Sequence, residues 1–136
     1  MNYRLFRYQG VSMAPGLQDD DRLITEGVDA QRLRVGDVVV FRSAGQPAGL
    51  CCHRLFWKRR ANGVLKLYHL GDAQRRGFGY CTSDQLIGRV RWFLRDRQLL
   101  GVPRTSPRQV MRFWFGAARR RWRRWRMHPG LRASTR

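Results

Sequence analysis

Three residues that could together perform nucleophilic catalysis lie in separate short segments of the sequence. Ser12 lies in G-V-S-M-A-P (residues 10–15), His53 in C-C-H-R-L-F (51–56), and Asp72 in L-G-D-A-Q (70–74). A serine hydroxyl is a poor nucleophile at neutral pH unless a neighbouring base removes its proton. An imidazole can be that base, and a carboxylate can fix its tautomer and stabilise the imidazolium. These three residues are therefore the candidate catalytic groups.

Each of the three also has a structural interpretation. Serine between glycine and proline is common in turns, histidine is often found at strand ends, and Gly-Asp is a frequent turn dipeptide. Whether Asp72 is catalytic or structural is left open by the sequence. The other groups that the sequence offers as base or nucleophile are His69, Lys66, Lys58 and Cys52.

The segments that must position these residues have the pattern of short strands separated by turns. Alternating and β-branched runs, with no sustained helical period, predict a mostly β domain. Asn62-Gly63 is a strong hairpin signal and would bring the regions of His53 and Asp72 near each other. Residues 71–80 are interpreted as a glycine-bearing loop. The predicted strands cover residues 3–10, 22–28, 35–43, 50–60, 64–70 and 85–95.

Charge divides the chain near Asp96. The 136 residues carry a formal net charge of +19, and residues 97–136 contain 12 arginines and no acidic residue. We therefore expect a domain at 1–96 and a basic tail at 97–136. Within the tail, Ser106 can cap a helix whose first turn holds Pro107, and that helix would extend over about 107–127. One apolar stripe is predicted to contain Val110, Trp114, Ala118, Trp122 and Trp125.

A basic helix with this much tryptophan suits the headgroup region of an anionic membrane. The residues expected to make that contact are Arg119, Arg120, Arg123, Arg124, Trp122 and Trp125. The simpler alternative is a helix that packs on its own domain. Nucleic acid is disfavoured as a partner, because no recognition-helix or RNA-binding motif accompanies the arginines.

No apolar run is long enough to span a membrane, and the N-terminal residues lack the apolar core of a secretory signal. We expect a cytoplasmic protein that is peripheral at the inner face of the membrane. Cys51, Cys52 and Cys81 do not have disulfide-framework or zinc-ligand spacing, so free thiols are expected, with no metal and no cofactor.

Five ordered segments carry a resemblance to a known family. G-V-S-M-A-P, L-R-V-G-D-V-V-V-F-R-S, C-H-R-L-F, H-L-G-D-A-Q and L-I-G-R-V resemble the serine, Gly-Asp, base, G-D-[AN] and closing-strand boxes of signal peptidase I and its relatives. The resemblance covers roughly residues 8–94. It implies a signal peptidase/LexA-like β-fold catalytic domain, here followed by the basic amphipathic C-terminal helix.

By this resemblance Ser12 is the nucleophile, His53 the general base and Asp72 the supporting acid. Members of the family use lysine or histidine as the base, and H-R-L-F matches the histidine type. The backbone N–H of Ser12 would form part of the oxyanion hole, while Met13 and Pro15 would shape the turn and the substrate cleft. The sequence departs from the family pattern where Asp20 replaces a glycine, where Cys51 and Cys52 replace aliphatic residues, and in lacking the usual N-terminal anchor.

The resemblance therefore implies a serine endopeptidase that cleaves a leader or signal segment from a precursor protein or peptide. The alternative is a catalytically inactive peptide-binding domain, or an adaptor delivered to a membrane or nucleic acid by its tail. A LexA-type regulator ranks last, since no DNA-binding domain precedes Ser12 and no lysine is well placed.

Overall fold

The computed structural model describes residues 2–43, 49–74 and 78–127, with side chains up to Arg124. Most of this part of the chain is β-strand, and one long α-helix follows the strands. Two short 3₁₀ helices lie at Ala30–Arg32 and Ser83–Gln85. The elements are β1 (Tyr3–Arg7), β2 (Arg22–Glu26), β3 (Val38–Arg42), β4 (Leu50–Ala61), β5 (Val64–Leu70), β6 (Gly79–Thr82), β7 (Leu86–Arg95), β8 (Gln98–Gly101) and α1 (Pro107–Met127).

The strands form one curled antiparallel sheet in the order β1-β2-β7-β3-β4-β5-β6, with β8 also paired to β7. β2 pairs with residues 89–94 of β7, while β3 pairs with its beginning and β8 with its end. Because a strand has only two hydrogen-bonding edges, β3 and β8 follow each other along the same edge of β7. The prediction of a mostly β domain followed by a helix is confirmed.

Turn geometry explains which strands the sequence predicts and which it does not. The β4–β5 turn places Asn62 at φ 51° and Gly63 at φ 75°, the left-handed pair that Asn-Gly favours. The β7–β8 turn has the same left-handed geometry at Asp96 and Arg97, a pair without a hairpin signature. The sheet consequently continues beyond the boundary predicted at Asp96, through β8. β6 also lies partly within the segment interpreted as a loop.

β3 is buried on both of its faces and lies at the centre of the fold. Val38 and Val40 belong to one core cluster, and Val39 and Phe41 belong to another. Successive side chains of a strand point to opposite faces, so an unbroken apolar run suits a strand covered on both sides. The Gly-Asp turn before β3 is structural, since the Asp37 carboxylate accepts the Arg34 N–H at 2.8 Å.

α1 begins as predicted, and its buried contact with the sheet is centred on Phe113. Ser106 Oγ accepts the Gln109 N–H at 3.3 Å, and the Gln109 side chain accepts the Ser106 N–H at 2.7 Å, which is a capping box. Phe113 is buried and stacks on Phe56 of β4, with ring centroids 4.9 Å apart. Along the described part of the chain, no helix combines the length and the apolar character needed to cross a bilayer.

The predicted single stripe is split between two faces of α1. Val110 packs against the cluster that contains Phe113, whereas Trp114 and Trp122 are about half exposed. The side chain of Trp125 lies outside the described residues.

Candidate active site

Ser12 lies in the tight turn that follows β1, and it is half-buried. Its backbone carbonyl accepts the N–H of Ala73 at 2.8 Å. Within the described part of the chain its own N–H donates to no group. A backbone N–H in that condition is available to stabilise an oxyanion that forms at the same residue.

The G-D-A segment, residues 71–73, packs directly on the serine turn. A Cβ on Gly71 would lie 2.5 Å from the carbonyl oxygen of Ser12 and 3.0 Å from its Cβ, so only glycine fits there without a shift. The N–H of Asp72 also points at the sulfur of Met13, at 3.4 Å. The structure therefore brings the first and fourth of the five sequence segments into contact.

Tyr8, which no sequence pattern singles out, contacts Ser12. The Tyr8 hydroxyl accepts the N–H of Met13 at 3.0 Å and lies 3.2 Å from Ser12 Oγ. Tyr8 is buried, which holds this hydroxyl in place. With one of its lone pairs occupied, Tyr8 can donate its hydrogen to Ser12 Oγ and leave the serine proton for a base. A tyrosine four residues before a serine is not a recognised signal.

His53 is half-buried on β4, and its hydrogen-bond partner is His69 of β5. The two Nδ1 atoms are 2.9 Å apart, so one nitrogen donates and the other accepts. If His53 Nδ1 carries the hydrogen, His53 Nε2 has a free lone pair and is the basic nitrogen. His69, which the sequence analysis weighed as a rival base, is thus a group that can fix the tautomer of His53.

Burial keeps both imidazoles neutral. It lowers the pKa of His53, while the negative charge of Asp72 acts in the opposite direction. Burial, together with the charge that His53 can carry, lowers the pKa of His69 to about 3. A neutral His53 at pH 7 is the form that can accept a proton.

Asp72 makes its hydrogen bonds to Arg54 and not to His53. Arg54 Nε and Nη2 each donate to one carboxylate oxygen at 2.8 Å, and both side chains are buried, 1% and 5% exposed. Arg54 Nη1 also donates to the carbonyl of Gly36 at 2.9 Å. The Asp72 charge still acts on His53 through space, but its contacts join the G-D-A segment to β4.

A β-bulge decides these pairings. From the turn, β4 and β5 pair in a register that aligns Trp57 with Tyr68, and beyond Phe56 the register shifts by one, so that Leu55 aligns with His69. In the unshifted register His53 would lie opposite Asp72. After the shift, Arg54 aligns with Leu70. Asp72 is then the diagonal neighbour of Arg54, and His69 is the diagonal neighbour of His53. The hairpin therefore brings the regions of His53 and Asp72 together as expected. The side chains that pair are His53 with His69 and Arg54 with Asp72.

Ser12 and His53 border the same open pocket, of about 410 Å³. The end of β1 and the beginning of β4 form its walls, and its floor contains Leu23, Val40 and Cys52. Among the described residues that line this pocket, neither Met13 nor Pro15 occurs. Met13 is buried in the core beneath the serine turn, and Pro15 is exposed after a cis peptide bond.

The remaining candidates for base or nucleophile are either protonated or bound to other groups. Burial raises the pKa of the Cys52 thiol to about 12, so it is protonated at pH 7. Lys58 Nζ donates to the carbonyl of Gln31, and Lys66 Nζ lies over the ring of Tyr80. Neither lysine lines the pocket beside Ser12.

The departure at Asp20 has a conformational explanation. Asp20 has φ 72°, a left-handed conformation that glycine adopts freely and that aspartate tolerates. The next residue, Asp21, is buried and accepts two hydrogen bonds from Arg95, at 2.9 and 2.7 Å.

No protein-family model, curated protein or solved structure matches this chain.

Proposed function

We propose that the chain is a serine endopeptidase of the signal peptidase type, with Ser12 as nucleophile and His53 as general base. The observation that carries the proposal is that Ser12 and His53 border one pocket, with the G-D-A segment packed on the serine turn. The order of the five sequence segments, and the signal peptidase/LexA-like fold that they imply, support the same conclusion.

In the proposed mechanism His53 Nε2 takes the proton of Ser12 as Oγ attacks the scissile carbonyl. In this mechanism His69 Nδ1 accepts the Nδ1–H of His53, which leaves Nε2 as the basic nitrogen of His53. The backbone N–H of Ser12 stabilises the oxyanion of the tetrahedral intermediate. The imidazolium of His53 then protonates the leaving amine, and a water activated by the same histidine hydrolyses the acyl-enzyme.

The pocket walls suggest how a peptide would bind. β1 is the end strand of the sheet, and β5 pairs with β4 only from Arg54 onward, so Leu50–His53 of β4 has an edge without a strand partner in the described residues. An extended peptide can hydrogen-bond to such edges by β-augmentation. The apolar floor of Leu23, Val40 and Cys52 favours a small apolar side chain, in line with the small residues that the family resemblance implies before the cleaved bond.

The test is cleavage of a proteome-derived peptide mixture, with new termini mapped by mass spectrometry. We expect cleavage after small residues that is lost, to less than about 1% of the wild-type rate, in Ser12→Ala and in His53→Ala. Ser83→Ala, at an exposed serine of a 3₁₀ helix, is the matched control and should cleave normally. Near-normal cleavage by Ser12→Ala, or peptide binding without new termini in the wild type, would overturn the proposal in favour of the inactive peptide-binding domain.

A further inference from the structure

α1 has two apolar faces, of which one is buried against the sheet and the other is exposed. The inner face is centred on Phe113, which contacts Phe56 and Phe78. The outer face contains Met111, Trp114, Phe115 and Trp122, which are 45% to 65% exposed, together with exposed Ala118. We refer to these five residues as the outer apolar face.

The outer apolar face is a continuous exposed strip along α1. At 3.6 residues per turn, its members fall within an arc of roughly 100°, on the opposite side of the helix from Phe113. The same geometry places arginines on both sides of the strip. Arg112, Arg119 and Arg123 lie along one side, and Arg121 lies along the other.

The strip continues from the helix onto the sheet. Trp57 of β4 is 45% exposed and meets Trp114 edge to face, with ring centroids 5.4 Å apart. Arg59, two residues further along the strand, lies on the same side as Trp57. The exposed apolar surface therefore spans two elements that the stacked rings of Phe113 and Phe56 join, and a cation borders it on each.

Charge and shape together select one occupant for this surface. Residues 97–136 contain no acidic side chain, so two copies of the helix meeting face to face would bring like charges together. A nucleic-acid backbone needs cations at the centre of the contact, whereas the centre here is apolar and the cations flank it. A tryptophan-bearing apolar strip flanked by arginines matches the acyl and phosphate layers of an anionic bilayer.

We propose that the outer apolar face and Trp57 dock the protein on the surface of an anionic lipid bilayer. In this orientation α1 lies in the membrane plane, Trp114 and Phe115 enter the boundary between headgroups and acyl chains, and the arginines that flank the strip contact lipid phosphates. Docking rests on the outer apolar face, Trp57 and the flanking cations, and it does not require cleavage by Ser12.

The test is co-sedimentation of the full chain with vesicles of phosphatidylcholine alone, or of phosphatidylcholine mixed with phosphatidylglycerol. We expect binding to the mixed vesicles at least about tenfold tighter than to the neutral ones, and weaker as salt rises. Each interfacial cation contributes about fivefold, so Arg119→Glu/Arg123→Glu should weaken binding to anionic vesicles by more than about tenfold. Brominated lipids should quench tryptophan fluorescence in the bound state.

Trp114→Ser/Phe115→Ser should weaken binding at least about tenfold. The variant should remain folded at the assay temperature, with a small drop in the unfolding temperature because Trp114 loses its edge contact with Trp57. Matched controls lie on β1, at the far end of the strand order. Leu5→Ser replaces an apolar residue as exposed as those of the outer apolar face, and Arg4→Glu reverses the charge of an exposed cation. Each variant should bind vesicles within about twofold of the wild type.

Three outcomes would overturn the proposal. One is equal binding to neutral and anionic vesicles, and another is binding that Trp114→Ser/Phe115→Ser leaves unchanged. The third is the absence of vesicle binding. In that case a requirement for the outer apolar face in self-association, or in binding an RNA or DNA duplex, would identify the other occupant. Because Ser12→Ala should bind vesicles like the wild type, failure of docking and failure of the peptidase proposal are distinguishable.

Discussion

At the level of single residues, the pair formed by His53 and His69 is the feature on which the proposed chemistry depends. The sequence identified both histidines but assigned the supporting role to Asp72 and made His69 a rival base. Strand alternation alone could not orient His69, because a bulge at Phe56 changes which side chains of β4 and β5 meet. Tyr8, whose hydroxyl reaches both Ser12 and the Met13 N–H, had no sequence signal at all.

Replacing His69 tests its positioning role. His69→Phe keeps a ring against Phe41, whose centroid lies 4.2 Å away, but removes the acceptor for His53 Nδ1–H. We expect kcat/KM for peptide cleavage to fall at least about tenfold with little change in thermal unfolding. His69→Asn places an amide oxygen near the former Nδ1 and should recover much of the loss. Equal activities for the Phe and Asn variants would contradict the role.

At the level of elements, the ion pair between Arg54 and Asp72 joins the β4–β5 hairpin to the segment that supports Ser12. Removing one partner leaves a buried charge without compensation. Asp72→Ala and Arg54→Ala should each lower the free energy of unfolding by about 3–5 kcal/mol.

The double variant completes a cycle measured by denaturant unfolding. It should be less destabilised than the sum of the single variants, by about 1–3 kcal/mol, because no isolated charge remains. Additive effects would contradict direct coupling. They would also reopen the interpretation of Asp72 as a residue whose main role is catalytic.

The helix supplies a second test at this level, with a matched pair of phenylalanines two residues apart. Phe113→Ala removes the ring that stacks on Phe56 and should lower the free energy of unfolding by about 3–4 kcal/mol. Phe115→Ala should change the free energy of unfolding by no more than about 0.5 kcal/mol, because Phe115 is 65% exposed. Similar effects of the two substitutions would contradict the assignment of the inner and outer faces.

At the level of the whole molecule, the buried histidines link stability to pH. A histidine whose pKa is lowered on folding binds its proton more readily in the unfolded chain, so stability is complete above about pH 6.5 and falls as the pH is lowered. His69, with a pKa of about 3 in the folded protein, should contribute a slope of up to about 1.4 kcal/mol per pH unit below pH 6.5.

Denaturant unfolding between pH 7 and 5 measures that slope. His69→Phe should flatten the pH dependence in this range, leaving the contribution of His53, which has the same sign. Glu26 and Asp21, whose pKa values are also lowered on folding, act mainly at more acidic pH. An unchanged slope in His69→Phe would show that this imidazole is not buried in neutral form.

Most of the architecture could be predicted from local patterns. The apolar run of β3, the Asn62-Gly63 turn and the cap at Ser106 each encode their element within a few residues. β8 escaped prediction because its turn places Asp96 and Arg97 in a left-handed conformation with no sequence signature. The split of α1 into two faces likewise depends on the sheet, since only the Phe56 ring shows that Phe113 turns inward.

The central claim is that His53 activates Ser12, and covalent labelling with a fluorophosphonate tests it most directly. Attack by Ser12 Oγ forms an oxygen–phosphorus bond and expels fluoride, and His53 accepts the serine proton.

Intact-mass and peptide mass spectrometry should find one adduct, on Ser12, that is absent from Ser12→Ala and forms at least about 100-fold more slowly in His53→Ala. The wild-type rate should stay level as the pH falls through 6.5 and decline only below it, because burial lowers the pKa of His53. Labelling of Ser12 at the wild-type rate in His53→Ala, or no labelling of Ser12 in the wild type, would contradict the account.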